Sequence, residues 1–239
     1  MVSIPWQRTP KSVYDRFIIS EDIHLQGVTM GKYSEAVAKA KIVAIVRLDN
    51  YDRALAVAEA LLAGGINAIE YTLTGSGAFE AVHKVRNALG DRMLVGVGTV
   101  LSEQDATDSI AAGAQFLVTP AVRPKVIKKA SKAGIPTCCG ALTPTEALTA
   151  HEAGAEFIKI FPARTFGPAY IKDMLAPLPF LKLMPTGGID ASNLQLYLAA
   201  GAVGVGIGGS LVTAKAVAEG DWQQLTNGAR ACVAALRGV

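Results

Sequence analysis

Pro144-Thr-Glu-Ala-Leu-Thr-Ala-His-Glu-Ala-Gly-Ala-Glu-Phe-Ile-Lys-Ile-Phe-Pro-Ala163 contains one complete structural unit of this chain. Its first half has helical periodicity and ends at Ala-Gly, where a glycine just past the helix supplies the left-handed cap. Its second half, Glu156–Ile160, is an apolar run of strand length, stopped by Pro162. From about Lys41 onward the same order returns: helix, Ala-Gly, short apolar strand. The expected strands are Ile42–Val46, Ala68–Thr72, Met93–Val97, Gln115–Val118, Pro136–Cys139, Glu156–Ile160, Leu181–Met184 and Val203–Ile207. Between and after them fall helices at Arg53–Ala63, Ala78–Leu89, Gln104–Ala112, Lys125–Ala133, Pro144–Ala153, Pro168–Leu175, Ala191–Ala200 and Trp222–Leu236. Eight βα units in about 200 residues predict an α/β fold, a (β/α)8 TIM barrel. An open doubly wound sheet is the alternative, but no Gly-x-Gly-x-x-Gly follows the first strand, and the glycine-rich turns fall late. Met30–Ala40 reads as an N-terminal helix before strand 1 that covers the bottom of the barrel. The expected division is an arm and the start of that helix over 1–37 and the barrel over 38–239. Residues 1–29 mix Pro, Trp, Tyr and charges, and their pattern does not say whether they pack.

Bulk properties narrow the function classes. Of the 239 residues, 51% are hydrophobic, and the net charge is +3 without a basic run. Nucleic-acid binding therefore has little support, while small anionic substrates fit. No apolar stretch is long enough for a membrane span, and the N-terminus lacks the apolar core of a secretory signal. The three cysteines, Cys138, Cys139 and Cys232, show no framework spacing, which points to a reducing compartment.

Within this frame, two charges stand out. Lys159 lies inside an apolar strand, where lysine is rarely left buried without a reason. Burial disfavours the ammonium form, and a neutral lysine can attack a ketone to form a Schiff base. The bland alternative is a lysine that snorkels to the strand end or pairs with a carboxylate. Glu70 is the second such charge, in Ile-Glu-Tyr-Thr-Leu-Thr. Burial raises a carboxylate towards neutrality, which suits a general acid/base. A plain buried ion pair with Lys159 is the alternative, and such pairs add little stability. In barrels, chemistry gathers where strands end. There the chain places Arg47 after the first strand, Thr186-Gly-Gly after the seventh and Gly208-Gly-Ser210 after the eighth. Glycine loops after the last two strands are the common phosphate site of barrels, and Arg47 can add a charged contact. His24 falls in the arm and His83 and His151 in helix patterns. No metal-ligand cluster and no nicotinamide or flavin fingerprint appears, so no metal or cofactor is expected.

Glu70-Tyr-Thr-Leu, Gly96-Val-Gly-Thr-Val, Val118-Thr-Pro120, Ile158-Lys-Ile-Phe-Pro-Ala163, Pro185-Thr-Gly-Gly-Ile189 and Gly208-Gly-Ser210, taken in order, resemble the 2-keto-3-deoxy-6-phosphogluconate (KDPG) aldolases. These are class I aldolases, and some also cleave 4-hydroxy-2-oxoglutarate. The resemblance covers about residues 38–237 and leaves out 1–37. It implies that Lys159 is the Schiff-base lysine and Glu70 the general acid/base. It further implies that Thr99, Pro120 and Phe161 line the pyruvate end. Arg47, Gly187, Gly188, Gly209 and Ser210 would hold the phosphate end, with Thr186 beside the substrate. A metal-independent, homotrimeric, cytoplasmic enzyme acting on a small keto acid is implied as well. One position departs from the pattern: Thr74 stands where many members carry an arginine that contacts the substrate's polar end, and Arg164 is the candidate replacement charge. The rival readings are a galactonate-type or 4-hydroxy-2-oxoglutarate aldolase, a phosphosugar isomerase or synthase, which needs no lysine on strand six, and a non-catalytic phosphosugar-binding barrel.

Overall fold

Short runs of β-branched and small residues make eight parallel strands, each followed by a helical segment. A computed structural model describes residues 31–236. The expected arm, with His24 in it, lies outside the described residues. The strands are β1 Ile42–Val46, β2 Ala68–Thr72, β3 Leu94–Gly98, β4 Leu117–Thr119, β5 Thr137–Ala141, β6 Phe157–Ile160, β7 Leu183–Pro185 and β8 Val205–Ile207. From β1 to β7 each pairs in parallel with its sequence neighbour, and β8 pairs in parallel with β1, in the order β7-β6-β5-β4-β3-β2-β1-β8. A bridge between Thr186 and Gly206 and a hydrogen bond from Val203 N–H to the Leu183 carbonyl (3.0 Å) close the ring between β7 and β8. The sheet is thus the barrel that the repeat predicts.

The helices are α1 Lys32–Ala40, α2 Ala54–Ala63, α3 Ala78–Leu89, α4 Glu103–Ala111, α5 Pro124–Lys132, α6 Pro144–Glu152, α7 Gly167–Leu175, α8 Leu194–Ala199, α9 Ala214–Glu219 and α10 Trp222–Leu236. Side-chain chemistry sets several ends. In α6, Thr143 and Glu146 form a reciprocal capping box, and Gly154 follows with φ +99°, a conformation that costs glycine little. Helix α9 was not among the expected elements. Thr213 caps it by accepting from Ala216 N–H, and Gly220 ends it in the left-handed conformation. Helix α8 begins at Leu194 rather than Ala191, because Asp190 accepts from Ser192 N–H and holds the preceding residues in a turn. No helix among the described residues is long and apolar enough to cross a membrane.

Alternation along each strand divides the core in two. Outward residues such as Ala44, Ile69, Tyr71 and Ile158 pack under the helices. Inward residues Val43, Ala68, Leu94, Phe116 and Phe157 fill the lower barrel together with Val37 of α1, which is fully buried. Helix α1 therefore plugs the end where the strands begin. Its Ser34 hydroxyl donates to the carboxylate of Glu156, just before β6, and Lys182 pairs with the same carboxylate at 3.3 Å. With the lower half filled by apolar groups, the polar inward residues are left to the upper half.

Candidate active site

Strands β2 and β6 occupy opposite walls of the ring, so long inward side chains from them meet near the barrel axis. Glu70 and Lys159 are those side chains. Glu70 pairs in register with Ile45 and Gly96, and Lys159 with Gly140 and Met184. Lys159 Nζ lies 3.9 Å from Glu70 Oε1, and the residues are 6% and 2% exposed. That separation is an ion-pair contact, too long for a hydrogen bond. Glu70 Oε1 is buried without a hydrogen-bond partner. Burial pushes the Glu70 carboxyl above its ordinary range, and the nearby Lys159 and Arg47 charges pull it back only in part. Free space of about 10 Å³ remains beside the two groups, on the scale of one water.

Glycines make room for this pair. A β-carbon at Gly98 would stand 2.7 Å from Glu70 Oε1, and one at Gly96 would strike the Phe116 ring at 2.5 Å. Across the barrel, a β-carbon at Gly140 would meet the backbone of Pro120 at 2.3 Å. The inward face of β3 is thus bare where the Glu70 carboxylate and the Phe116 ring need the space.

Above the pair, a cleft of about 500 Å³ opens at the strand ends. Of the expected residues, Arg47, Phe161, Thr186, Gly187, Gly188, Gly209 and Ser210 all line it. Ile45 and Thr186 belong to the walls of both the cleft and the inner space, so the cleft leads down to the lysine. The Phe161 ring centroid lies 5.4 Å from Lys159 Nζ, and the Phe161–Pro162 peptide is cis. Gly187 and Gly188 take φ of +94° and +78°, which a side chain would resist. Among the described residues, the N–H groups of Gly188, Gly209 and Ser210 have no acceptor, whereas the Ser210 hydroxyl donates to the Ile189 carbonyl at 2.8 Å. These donors can serve an anion.

Thr99 and Pro120 are not in the walls of either space. Each follows its strand directly, β3 and β4, and Thr99 has φ +61°, a strained value for a β-branched residue. Thr74 is exposed and tied to its own strand end: its hydroxyl is 2.7 Å from that of Thr72, which contacts the Tyr51 hydroxyl at 3.0 Å. Arg164, the candidate replacement for a charge at Thr74, stands instead on the opposite wall. It lines the cleft with Arg47 and presses against Gly188. Cys138 and Met184, in contact at 3.9 Å through their sulfurs, also line the inner space but were not among the candidates. Strand alternation would have found Met184, which stands two residues before Thr186.

Comparison with known proteins points to one family. The family model "KDPG and KHG aldolase" matches residues 34–227. The 2-dehydro-3-deoxy-6-phosphogalactonate aldolase of Escherichia coli is 38% identical over 78% of this chain and 91% of its own length. The 2-dehydro-3-deoxy-phosphogluconate aldolase of Treponema pallidum is 37% identical over 80% of this chain and 91% of its own. The crystal structure of a Legionella pneumophila KDPG aldolase, with pyruvate captured as a covalent carbinolamine, superposes with a TM-score of 0.77 at 31% identity, covering 82% of this chain and 96% of that one. A buried lysine–glutamate pair beneath a glycine-lined cleft, in a chain related to these enzymes along the whole barrel, makes it a lyase that belongs to the KDPG and KHG aldolase family.

Proposed function

We propose that this protein cleaves KDPG reversibly to pyruvate and glyceraldehyde 3-phosphate through a Schiff base on Lys159, with Glu70 as general acid/base. The observation that carries the reading is the Lys159–Glu70 pair at 3.9 Å, buried on the barrel axis and reached from the glycine-lined cleft. The free-amine form of Lys159 Nζ adds to the C2 ketone, and loss of water from the carbinolamine gives an iminium that accepts electrons. Glu70 takes the C4 hydroxyl proton, directly or through one water. The C3–C4 bond breaks, its electron pair forms the enamine of pyruvate, and the aldehyde leaves. Glu70 returns a proton to C3, and water hydrolyses the iminium to free pyruvate and the amine. Burial keeps Glu70 easy to protonate, so one group can serve both steps. Phe161 and Thr186 would flank the keto acid, with Thr99 and Pro120 closing its end at the neighbouring strand ends. The Gly187–Gly188 and Gly209–Ser210 loops and Arg47 would receive the phosphate.

The test is reduction with borohydride in the presence of pyruvate. A pyruvate-derived adduct is expected on Lys159, and EDTA leaves turnover intact. No adduct, or one on another lysine, sinks the Schiff-base assignment. A second reading, cleavage of the C4 epimer KDPGal, is favoured by the 38% identity to the E. coli galactonate enzyme. Ratios of kcat/KM on the two epimers separate the readings. As in the family pattern, the working unit is a cytoplasmic homotrimer, which light scattering of the purified protein checks.

A further inference from the structure

The cleft above Lys159 has two arginines in its wall. Arg47 arrives from the end of β1, and Arg164 from the helical turn Ala163–Thr165 that follows β6. That turn is well held. The Arg164 N–H donates to the Gly187 carbonyl at 3.0 Å, and the Ala163 N–H donates to the Thr186 carbonyl at 2.8 Å. Behind it, the Phe166 and Tyr170 rings lie 4.7 Å apart, and the Tyr170 hydroxyl donates to the Leu142 carbonyl at 2.6 Å. The Arg164 stem lies against Gly188, where a β-carbon would come within 2.6 Å of Arg164 Cβ and 3.1 Å of its Cδ. Gly188 therefore gives the arginine its path along the β7 loop.

The charge balance of the cleft is one-sided. Neither Arg47 nor Arg164 forms an ion pair among the described residues, and no Asp or Glu is in the cleft wall. Two cations, together with the acceptor-free N–H groups of Gly188, Gly209 and Ser210, surround one space. Such a set suits a dianion with several acceptor oxygens better than a single carboxylate. Thr74 is on the far wall, outside this space. Arg164 is thus badly placed to replace a charge there, and well placed to join Arg47.

We propose that Arg164 is a specificity-determining residue that binds the substrate's phosphate, forming with Arg47 a two-arginine clamp across the glycine loops. The inference rests on reading the cleft as the phosphate end of an aldolase site. It assigns this chain a preference for phosphorylated over unphosphorylated keto acids that depends on both arginines.

The experiment compares wild type, Arg164→Ala, Arg164→Lys and Arg47→Ala as full-length protein in three measurements: inorganic phosphate binding by calorimetry, kcat/KM on KDPG and on 4-hydroxy-2-oxoglutarate, and pyruvate trapping by borohydride. Arg164→Ala is expected to weaken phosphate binding and to lower kcat/KM on KDPG by about 10- to 100-fold, mainly through KM, as for loss of a charged hydrogen bond. The loss on 4-hydroxy-2-oxoglutarate should be several-fold smaller, Arg164→Lys should recover part of both phosphate readouts, and pyruvate should still be trapped on Lys159. Equal losses on the two substrates would assign Arg164 to the keto-acid end and overturn the clamp. So would unchanged phosphate binding in Arg164→Ala, or a wild type that binds no phosphate. If wild type traps no pyruvate, the aldolase reading fails by itself. The phosphate titration then still decides the clamp, supporting it if Arg164→Ala binds more weakly and overturning it if not.

Discussion

A carboxyl group with one buried oxygen that accepts no hydrogen bond is costly to keep ionised, and Glu70 is such a group. A positioned acid/base of this kind contributes about 10²- to 10⁴-fold, so Glu70→Gln should slow KDPG cleavage by that factor while the circular dichroism spectrum is retained. Turnover near that of wild type would reduce Glu70 to a structural partner of Lys159. Gly98 makes a subtler contribution. A β-carbon there would stand 2.7 Å from Glu70 Oε1 and 3.2 Å from Thr72 Cγ2. Gly98→Ala is therefore expected to shift the carboxylate off its line to the substrate, lowering kcat by about 10- to 100-fold with a smaller change in KM. Steady-state kinetics across pH check this, and an unchanged kcat would show that the carboxylate tolerates the displacement. At this scale Lys159 and Glu70 were legible before any fold was drawn, because a charge inside an apolar strand is anomalous in any α/β protein. Gly98 was not, because its meaning depends on a side chain from the neighbouring strand.

Among the elements, α1 is the one that lies outside the repeating units. Val37 reaches into the lower barrel between Val43, Ala68 and Phe157, while Ser34 and Lys182 meet on Glu156. Burying a valine side chain contributes about 1.5–3 kcal/mol, so Val37→Ala should cost on the order of 1–3 kcal/mol of stability by denaturant titration. A change well below that range would show that the barrel floor is sealed without α1. Alternating composition located most elements, but their ends shifted where side chains intervened. Strand β4 was expected to begin at Gln115, yet the Gln115 side chain accepts from Val95 N–H at 2.9 Å and the ladder begins at Leu117. The short α9 went unseen because its six residues span less than two turns of periodicity.

The buried Glu70 couples the catalytic pair to the stability of the whole molecule. Its folded-state pKa is raised by burial, so the native state holds the proton more tightly than the unfolded chain. Its contribution to stability is fully present below the ordinary glutamate value. It is lost as pH rises through the raised folded value. Wild type should therefore lose stability relative to Glu70→Gln as pH rises from about 4 towards neutrality, near and above the reference value of a free glutamate. Melting temperatures of the two proteins across that range measure the difference. A difference that is flat with pH would mean that attraction to Lys159 offsets burial, and one that runs the other way that it outweighs burial.

Eight apolar runs at near-regular spacing, each after an Ala-Gly helix end, were enough to specify a closed parallel barrel. Only about that number of βα units lets inward side chains fill a ring without leaving a pore. The charges on strands two and six, and the late glycine loops, follow from local pattern, since each is unusual in its own segment. What tertiary structure alone decided is which groups meet. Opposite strand positions bring Lys159 and Glu70 to 3.9 Å, and the bare face of β3 leaves room for the carboxylate. The turn after β6 carries Arg164 across Gly188 into the cleft of Arg47 and away from Thr74. Glu70 and Lys159, 89 positions apart, acquire their distance only when the ring closes, because barrel curvature, not sequence separation, sets it.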